Sequence, residues 1–245
     1  MAPPPPPPPP PGFAGPTGPG LGRPFSAGDA ISYGWRSFQA NAGPLVLVVL
    51  VILAVGIVMS LAGQSINNTF VLLAFNVLQL VVSLILGLGV IRASLAILDG
   101  RRPTVEDLLN LENLVPYAIA SILVGLLVTA GLVLCIVPGL IVGFLLQFYG
   151  YAVIDHRVGV PAYGATTTTD PTRESDPIGA MRASYEIATQ NVGSLLVLML
   201  LCILINFAGA LLCGIGLLVS VPITYIAVAY AWRFFTGGVI AGRQA

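Results

Sequence analysis

Three long stretches of the chain contain no charged residue and are apolar along most of their length. They are Ser37–Ile91, Asn113–Ile154 and Ile187–Trp232, which hold 55, 42 and 46 residues. Each is about twice the ~20 apolar residues that one helix needs to cross a ~30 Å hydrocarbon core. Each also has turn residues near its middle. The pattern predicts three helical hairpins, and therefore an all-α, polytopic membrane bundle of six transmembrane helices.

The six crossings are predicted near residues 44–63, 70–91, 115–136, 138–156, 193–213 and 215–235. They form a transmembrane domain over 25–236, with a proline- and glycine-rich tail at 1–24 and a short C-terminal segment at 237–245. The beginning of the chain lacks the basic and apolar regions of a signal peptide. We therefore expect the first crossing to act as an uncleaved targeting signal.

A short amphipathic helix is predicted before each hairpin, with Ser26, Thr104 and Asp176 as the N-terminal caps. Asn41-x-Gly-x-Leu45 recurs 150 residues later as Asn191-x-Gly-x-Leu195. The chain thus resembles three repeats of an interfacial helix plus a hairpin. The apolar faces of the first and third short helices are predicted to comprise Ile31, Gly34, Trp35 and Phe38, and Ile178, Met181 and Tyr185.

Helices of this kind lie in the membrane interface, with the apolar face in the acyl boundary and the polar face toward the headgroups. Trp35, Phe38 and Tyr185 are the predicted interfacial anchors.

Composition and charge agree with a membrane protein and give it an orientation. Hydrophobic residues make up 56% of the chain and charged residues 8%, against about 25% charged residues in soluble domains. All ten basic residues are arginines, and they lie before, between and after the hairpins. Because basic loops stay cytoplasmic, both termini are expected inside, with Arg92 and Arg233 snorkelling at inner helix ends. The lysine-free composition suggests a GC-rich bacterial genome, and therefore a bacterial inner-membrane protein.

The tail begins with nine consecutive prolines, Pro3–Pro11. Proline has a fixed φ and no backbone N–H, so this run favours polyproline II over a length of about 28 Å. The tail is either a disordered, semi-stiff cytoplasmic segment or a strip that docks into an aromatic groove of a cytoplasmic protein. The lipid bilayer is the other predicted partner, and no nucleic-acid partner is expected.

Residues suited to catalysis are scarce. The single histidine, His156, lies beside charged residues near an inner helix end, and no second histidine or cysteine pair is expected near it to form a metal site. The sequence contains no nucleophile elbow, P-loop or dinucleotide fingerprint. No ionisable group is predicted within the hydrocarbon core, where ion-coupled transporters generally carry one. We expect no catalytic, cofactor-binding or metal-binding residue, and no enzymatic activity.

Four polar residues are predicted within the crossings: Asn76, Gln79, Gln147 and Asn206. They either form interhelical hydrogen bonds or line a polar cleft for a lipid headgroup or small solute. Cys135 and Cys213 are predicted at equivalent external turns. They are either bonded in a disulfide or small apolar packing residues. Pro222 is expected to kink the sixth crossing.

Several short motifs resemble those of a known group of membrane proteins. They are Gly34-Trp35-x-x-Phe38 with Asn41, Cys135-Ile-Val-Pro-Gly-Leu140, and Cys213-Gly-Ile-Gly-Leu217 with Pro222 and Ala229-Tyr230. Over about residues 25–236 the chain is similar to uncharacterised bacterial proline/glycine-rich integral membrane proteins. It also resembles the membrane domain of some glycerophosphodiester phosphodiesterases and, more loosely, YciC-like inner-membrane proteins. The phosphodiesterase barrel has no counterpart in this chain, so the resemblance implies a membrane module without hydrolase activity.

Two functions are compatible with this sequence. The first is a non-enzymatic inner-membrane scaffold or accessory protein in envelope or lipid homeostasis. The second is a lipid or small-solute translocator whose cleft lies between the hairpins.

Overall fold

Every secondary-structure element in the described part of the chain is a helix. The computed structural model describes residues 25–64, 66–104, 107, 110–155, 176–212, 214–238 and 240–242. In chain order the helices are α1 (Ala27–Ala40), α2 (Ala42–Gln64), α3 (Thr69–Leu98), α4 (Leu114–Leu134), α5 (Ile136–Leu145), α6 (Tyr149–Ile154), α7 (Pro177–Gln190), α8 (Val192–Leu211) and α9 (Leu217–Thr236). Six spans are long and apolar enough to cross a membrane, with α5 and α6 sharing one of them. The predicted all-α fold with six membrane-type helices is confirmed.

The predicted crossings agree with these helices at all ends but one, and they miss one interruption. Helix α3 continues to Leu98 instead of ending at Ile91. The fourth crossing, predicted as one helix, is interrupted between Leu145 and Tyr149, where α5 ends and α6 begins. The other ends lie within about two residues of their predicted positions, which is the usual uncertainty of helix termini.

The predicted N-terminal caps have the hydrogen bonds that define them. The Ser26 hydroxyl accepts the backbone N–H of Asp29 at 3.3 Å. Thr104 and Asp107 cap each other reciprocally, through contacts of 2.9 and 3.3 Å. The carboxylate of Asp176 accepts two backbone N–H groups, both at 3.0 Å. These bonds satisfy donors that a helix start leaves without a partner.

The first and third repeat units have the same local structure. Helices α1 and α7 both contain 14 residues. Each is followed by an asparagine whose Nδ2 donates to the carbonyl four residues earlier, Asn41 to Ser37 at 3.1 Å and Asn191 to Ile187 at 3.0 Å. The short helix predicted for the second unit includes residues outside the described ranges. The threefold repeat therefore stays a prediction.

The packed core lies at the end of the bundle where α3, α6 and α9 end. Buried residues concentrate in the last third of α3, in α6, in α9, and on one face each of α1 and α7. The hairpin tips are open to the surroundings, with Phe70 and Leu134 both 85% exposed. Apolar surface of this extent is expected on a protein that faces lipid. The six apolar helices therefore indicate a multi-pass membrane protein.

Glycines close the second and third hairpins. A Cβ on Gly139 would lie 2.7 Å from the backbone nitrogen of Leu132, so α5 packs directly on the backbone of α4. A Cβ on Gly216 would lie 2.6 Å from the Cα of Gly209, at the contact between α8 and α9. Small residues permit such close approach of membrane helices.

Helix α1 packs on α9, in the opposite direction. The ring of Phe25, just before α1, lies 4.8 Å from that of Phe235 at the end of α9. Further along, a Cβ on Gly34 would lie 2.7 Å from the carbonyl oxygen of Ile223. The first repeat unit thus packs on the third hairpin, and this contact brings the beginning and the end of the described chain to the same end of the bundle.

The apolar faces predicted for α1 and α7 are only partly buried, as faces in contact with lipid would be. Helix α1 buries a face of mostly small residues, Ala27, Ala30, Gly34 and Phe38. Helix α7 does the same with Ala180, Ala183, Ser184, Ile187 and Ala188. Larger side chains on the predicted faces point outward, with Trp35 47%, Ile178 57% and Tyr185 52% exposed. Small residues are buried because the two short helices approach the bundle closely.

Candidate functional site

Three charged side chains meet where the second helices of the three hairpins end. Arg233 of α9 places its Nε 2.5 Å from Asp155 Oδ2 and its Nη2 3.2 Å from Asp99 Oδ1. Asp99 follows α3 and Asp155 follows α6. The side chains of Arg233 and Asp155 are 4% and 2% exposed. We call these three residues the ion cluster, and it connects all three hairpins.

The ion cluster is held by further polar contacts. The indole Nε1 of Trp232 donates to Asp155 Oδ2 at 3.1 Å. Burial raises the pKa of Asp155, while Arg233 and the Trp232 hydrogen bond oppose that rise. Asp99 lies 3.8 Å from a second arginine, Arg101, whose side chain is 55% exposed. Because the carboxylate of Asp155 is engaged by a cation and an indole, the cluster resembles a structural connection more than an acid–base pair.

The sequence reasoning missed this cluster. Arg233 was expected to snorkel toward the interface, but it is buried and paired. Arg92 is partly exposed, and its Nη2 donates to the backbone carbonyl of exposed Glu112. One signal was available: the second helix of each hairpin has a charged residue in its last turn or just after its end, Arg233 in α9, Asp99 after α3 and Asp155 after α6. Helices that end at the same level of a bundle can pair such residues.

A second polar site fills the interruption of the fourth crossing. The hydroxyl of Ser184, on α7, accepts the backbone N–H of Phe148 and donates to the carbonyl of Leu145, both at 3.0 Å. Backbone groups freed inside a membrane need such partners. The Nε2 of Gln147 lies at the same interruption, where it is buried with no hydrogen-bond partner in the described part of the chain.

The four polar residues predicted within the crossings lie at different places. Asn206 donates to Thr224 Oγ1 at 3.3 Å and accepts the hydroxyl of Ser220 at 2.9 Å, which joins α8 to α9. This is the interhelical bonding that was one of the two predicted roles. Asn76 is exposed and donates to the carbonyl four residues earlier at 2.8 Å. Gln147 lies at the helix interruption, and Gln79 alone of the four lines the groove described next.

A groove of about 390 Å³ lies between α2, α3 and α9. We call it the hairpin groove. Its walls are mostly leucine, valine and isoleucine, with Gln79, Ser83, Ser94 and Tyr225 as the polar members. It exists because the first hairpin is loosely packed along its middle: a Cβ on Gly56 would have no atom within 4 Å. An apolar groove of this kind is suited to a hydrocarbon chain more than to a polar solute.

The predicted anchors divide into two kinds. Trp35 and Tyr185 are about half exposed, as an interfacial anchor must be. Phe38 is 8% exposed and packs in a core cluster with Leu45 and Ile223, so it belongs to the interior.

The cysteine and histidine predictions fall partly outside the described chain. Cys135 is exposed, while Cys213 lies outside the described residues. The disulfide therefore stays a prediction. His156 also lies outside the described residues. Within the described ranges no group of three or more metal-ligating side chains comes together.

Comparison with known proteins finds bacterial relatives that are themselves uncharacterised. An uncharacterised protein of Mycobacterium bovis and one of Mycobacterium tuberculosis are each 29% identical to this chain, over 88% of its length and 70% of theirs. A further uncharacterised protein from another strain of Mycobacterium tuberculosis matches to the same extent. The relatives are therefore bacterial. No family model and no solved structure matches the chain.

Proposed function

We propose that the protein is a non-enzymatic scaffold of the bacterial inner membrane, with both termini in the cytoplasm. The observation that carries this proposal is the closely packed end of the bundle. There the ion cluster connects the three hairpins, and Phe25 packs on Phe235. A bundle fixed at that end would present the proline-rich tail and the short helices to an envelope or lipid-homeostasis partner.

The contacts at this end support a fixed platform. The hydroxyl of Tyr33, on α1, donates to the carbonyl of Ala241 beyond α9 at 3.1 Å. The backbone N–H of Ala241 donates to the carbonyl of Leu98 at the end of α3, at 2.8 Å. Three segments distant in sequence thus converge beside the ion cluster. The described chain begins and ends near this convergence, at Phe25 and Gly242.

The orientation part of the proposal depends on the arginines. All ten lie on the same side of a six-crossing topology, and basic residues in short loops are retained in the cytoplasm. In a variant without native cysteines, we expect a single cysteine introduced by Asn67→Cys to react with a membrane-impermeant maleimide in intact cells. A cysteine introduced by Gln244→Cys would react only after permeabilisation, and the reverse pattern would contradict the orientation.

Capture of a partner tests the scaffold function itself. The full-length protein, purified in mild detergent after crosslinking in cells, should retain a stoichiometric protein partner. Replacing Pro3–Pro11 by a glycine–serine segment of equal length should release that partner while leaving the melting temperature unchanged. A control substitution, Asn67→Ser in the exposed turn between α2 and α3, should leave the partner bound. Recovery of the protein alone in every preparation would contradict the proposal.

The sequence resemblance adds a narrower proposal. The bundle is expected to be related to the membrane domain of glycerophosphodiester phosphodiesterases and to YciC-like proteins. What supports this is the set of motifs, which fall within the short helix α1, at the turn between α4 and α5, and in and before α9. A solved structure of such a membrane domain with a different hairpin order would contradict the relationship.

The hairpin groove favours a second candidate, a lipid translocator. We expect Gly56→Leu to fill the groove, since open space surrounds that position, and to slow transfer of fluorescent phospholipid between leaflets of proteoliposomes. Gly125→Leu is the matched control, because Gly125 is equally open but lies outside the groove lining. Equal transfer by wild type, both variants and protein-free vesicles would exclude this candidate.

A further inference from the structure

Helix α7 has two faces of different character. Its small residues are buried against the bundle, while Ile178 and Tyr185 are more than half exposed on the other side. A recess of about 380 Å³ lies along this exposed side. Its apolar walls are Leu123, Leu127, Leu146, Ile178 and Met181, and we call it the α7 recess.

One cation lies at the α7 recess. Arg182 is an exposed member of its lining, and Tyr185 is the other polar one. Within the described residues Arg182 has no ion pair or hydrogen bond, and the recess lining contains no acid. Glu186 follows one helical turn later but lies outside the lining, and no ion pair joins it to Arg182 in the described part of the chain. The guanidinium is thus available to an anion from the surroundings.

The α7 recess combines an apolar wall with a single positive charge at the surface of a membrane bundle. A free inorganic anion would use the charge and leave the apolar wall without a partner. A neutral lipid would use the wall and leave the charge. Basic sites between membrane helices bind anionic lipid headgroups, and an acyl chain supplies apolar contact at every methylene. Charge and wall together match an amphiphile with an anionic head.

We propose that the α7 recess binds an anionic phospholipid, with the phosphate on Arg182 and an acyl chain along Leu123 and Leu127. Tyr185, at the rim, is positioned to donate a hydrogen bond to the headgroup. This inference requires only that the apolar helices lie in a membrane. It does not depend on the scaffold function, and it concerns a different surface from the hairpin groove.

Lipid titration tests the proposal on the full-length protein. Delipidated protein in detergent is titrated with phosphatidylglycerol or with phosphatidylcholine, and bound lipid is counted by native mass spectrometry. Wild type should prefer phosphatidylglycerol. Arg182→Gln should lower that preference about fivefold, which corresponds to about 1 kcal/mol for one basic residue. Arg182→Lys should retain most of it.

The matched control is Arg36→Gln, which removes another exposed arginine from the equivalent short helix α1. It should leave the preference unchanged. Excess inorganic phosphate should not displace the lipid, because phosphate cannot use the apolar wall. Equal loss in Arg36→Gln, an unchanged preference in Arg182→Gln, or displacement by phosphate would each overturn the proposal.

Discussion

Replacing Arg233 by methionine tests whether the ion cluster holds the bundle together. Methionine keeps much of the side-chain volume and removes the charge. Asp155 then keeps the Trp232 hydrogen bond but loses its cation, in a site where its side chain is 2% exposed. Removing one partner of a buried ion pair costs about 3–5 kcal/mol, since the remaining charge is left uncompensated.

The contacts of the two acids in the ion cluster narrow the expected loss of stability. Asp99 lies near Arg101 and is more exposed than Asp155, so it retains a cation after the substitution. Asp155 therefore carries most of the cost. We expect Arg233→Met to lower the free energy of unfolding by about 3 kcal/mol, the lower end of the range. Equilibrium unfolding of the full-length protein in mixed detergent micelles measures this directly.

Two comparison variants separate the ion pair from packing effects. Arg101→Met removes an arginine that is 55% exposed and lies 3.6 and 3.8 Å from its acids, and it should cost at most about 1 kcal/mol. Adding Asp155→Asn to Arg233→Met removes the uncompensated charge and should restore part of the lost stability. Equal effects of Arg233→Met and Arg101→Met, or no recovery in the double variant, would refute the reasoning.

The destabilisation should also depend on pH. Burial already raises the pKa of Asp155, and Arg233 opposes that rise. Without Arg233 the pKa of Asp155 in the folded state moves further above its value in the unfolded state. The folded protein is then more stable with Asp155 protonated. The stability of Arg233→Met should therefore be highest at acidic pH and fall as the pH rises through that pKa. A stability deficit, relative to wild type, that does not grow as the pH rises above about 4, the usual pKa of an unfolded aspartate, would contradict this sign.

Three further substitutions address single contacts, each measured by the same unfolding assay. Gly34→Ala should destabilise the protein by about 1–3 kcal/mol, because the added methyl group overpacks α1 against α9. Gly43→Ala should be neutral or stabilising, because Gly43 has open space around it. Equal effects of the two substitutions would contradict the close approach of α1 to α9. Ser184→Ala should lower the free energy of unfolding by about 1–3 kcal/mol, because the backbone groups of Phe148 and Leu145 lose their hydrogen-bond partner. Ser32→Ala, at an exposed serine, should change it little. Asn206→Ala should cost roughly 0.6 kcal/mol, the average for a hydrogen bond between membrane helices, and a loss several times larger would assign it another role.

The helices were predictable from the sequence because each depends on a local property. A long uncharged, apolar stretch predicts a membrane crossing. The capping residues Ser26 and Asp176 predict where α1 and α7 begin. The interruption at Gln147 was not predictable, because it depends on a hydroxyl supplied by Ser184 from another helix. Local hydropathy contains no information about that contact.

The ion cluster could not be predicted from the residue pattern of any single helix. Its three members lie 56 and 78 positions apart, and each, taken alone, is an ordinary charge at the end of an apolar helix. The three side chains meet only because α3, α6 and α9 end at the same depth of the bundle. Asp99 would have been found by asking how far α3 extends, since the predicted end at Ile91 left this acid in a loop.

The short helices show how lipid changes which side chains a membrane protein buries. Trp35 and Tyr185 were predicted to face the acyl boundary, and both are about half exposed, whereas small residues are buried. In lipid large side chains gain little from burial, because acyl chains are as apolar as the protein interior. Close packing then favours the alanine and glycine face, and the large residues remain outward for the membrane. The exposed side of α7, with Arg182 among apolar neighbours, follows from the same preference, and this is why a lipid site is expected there.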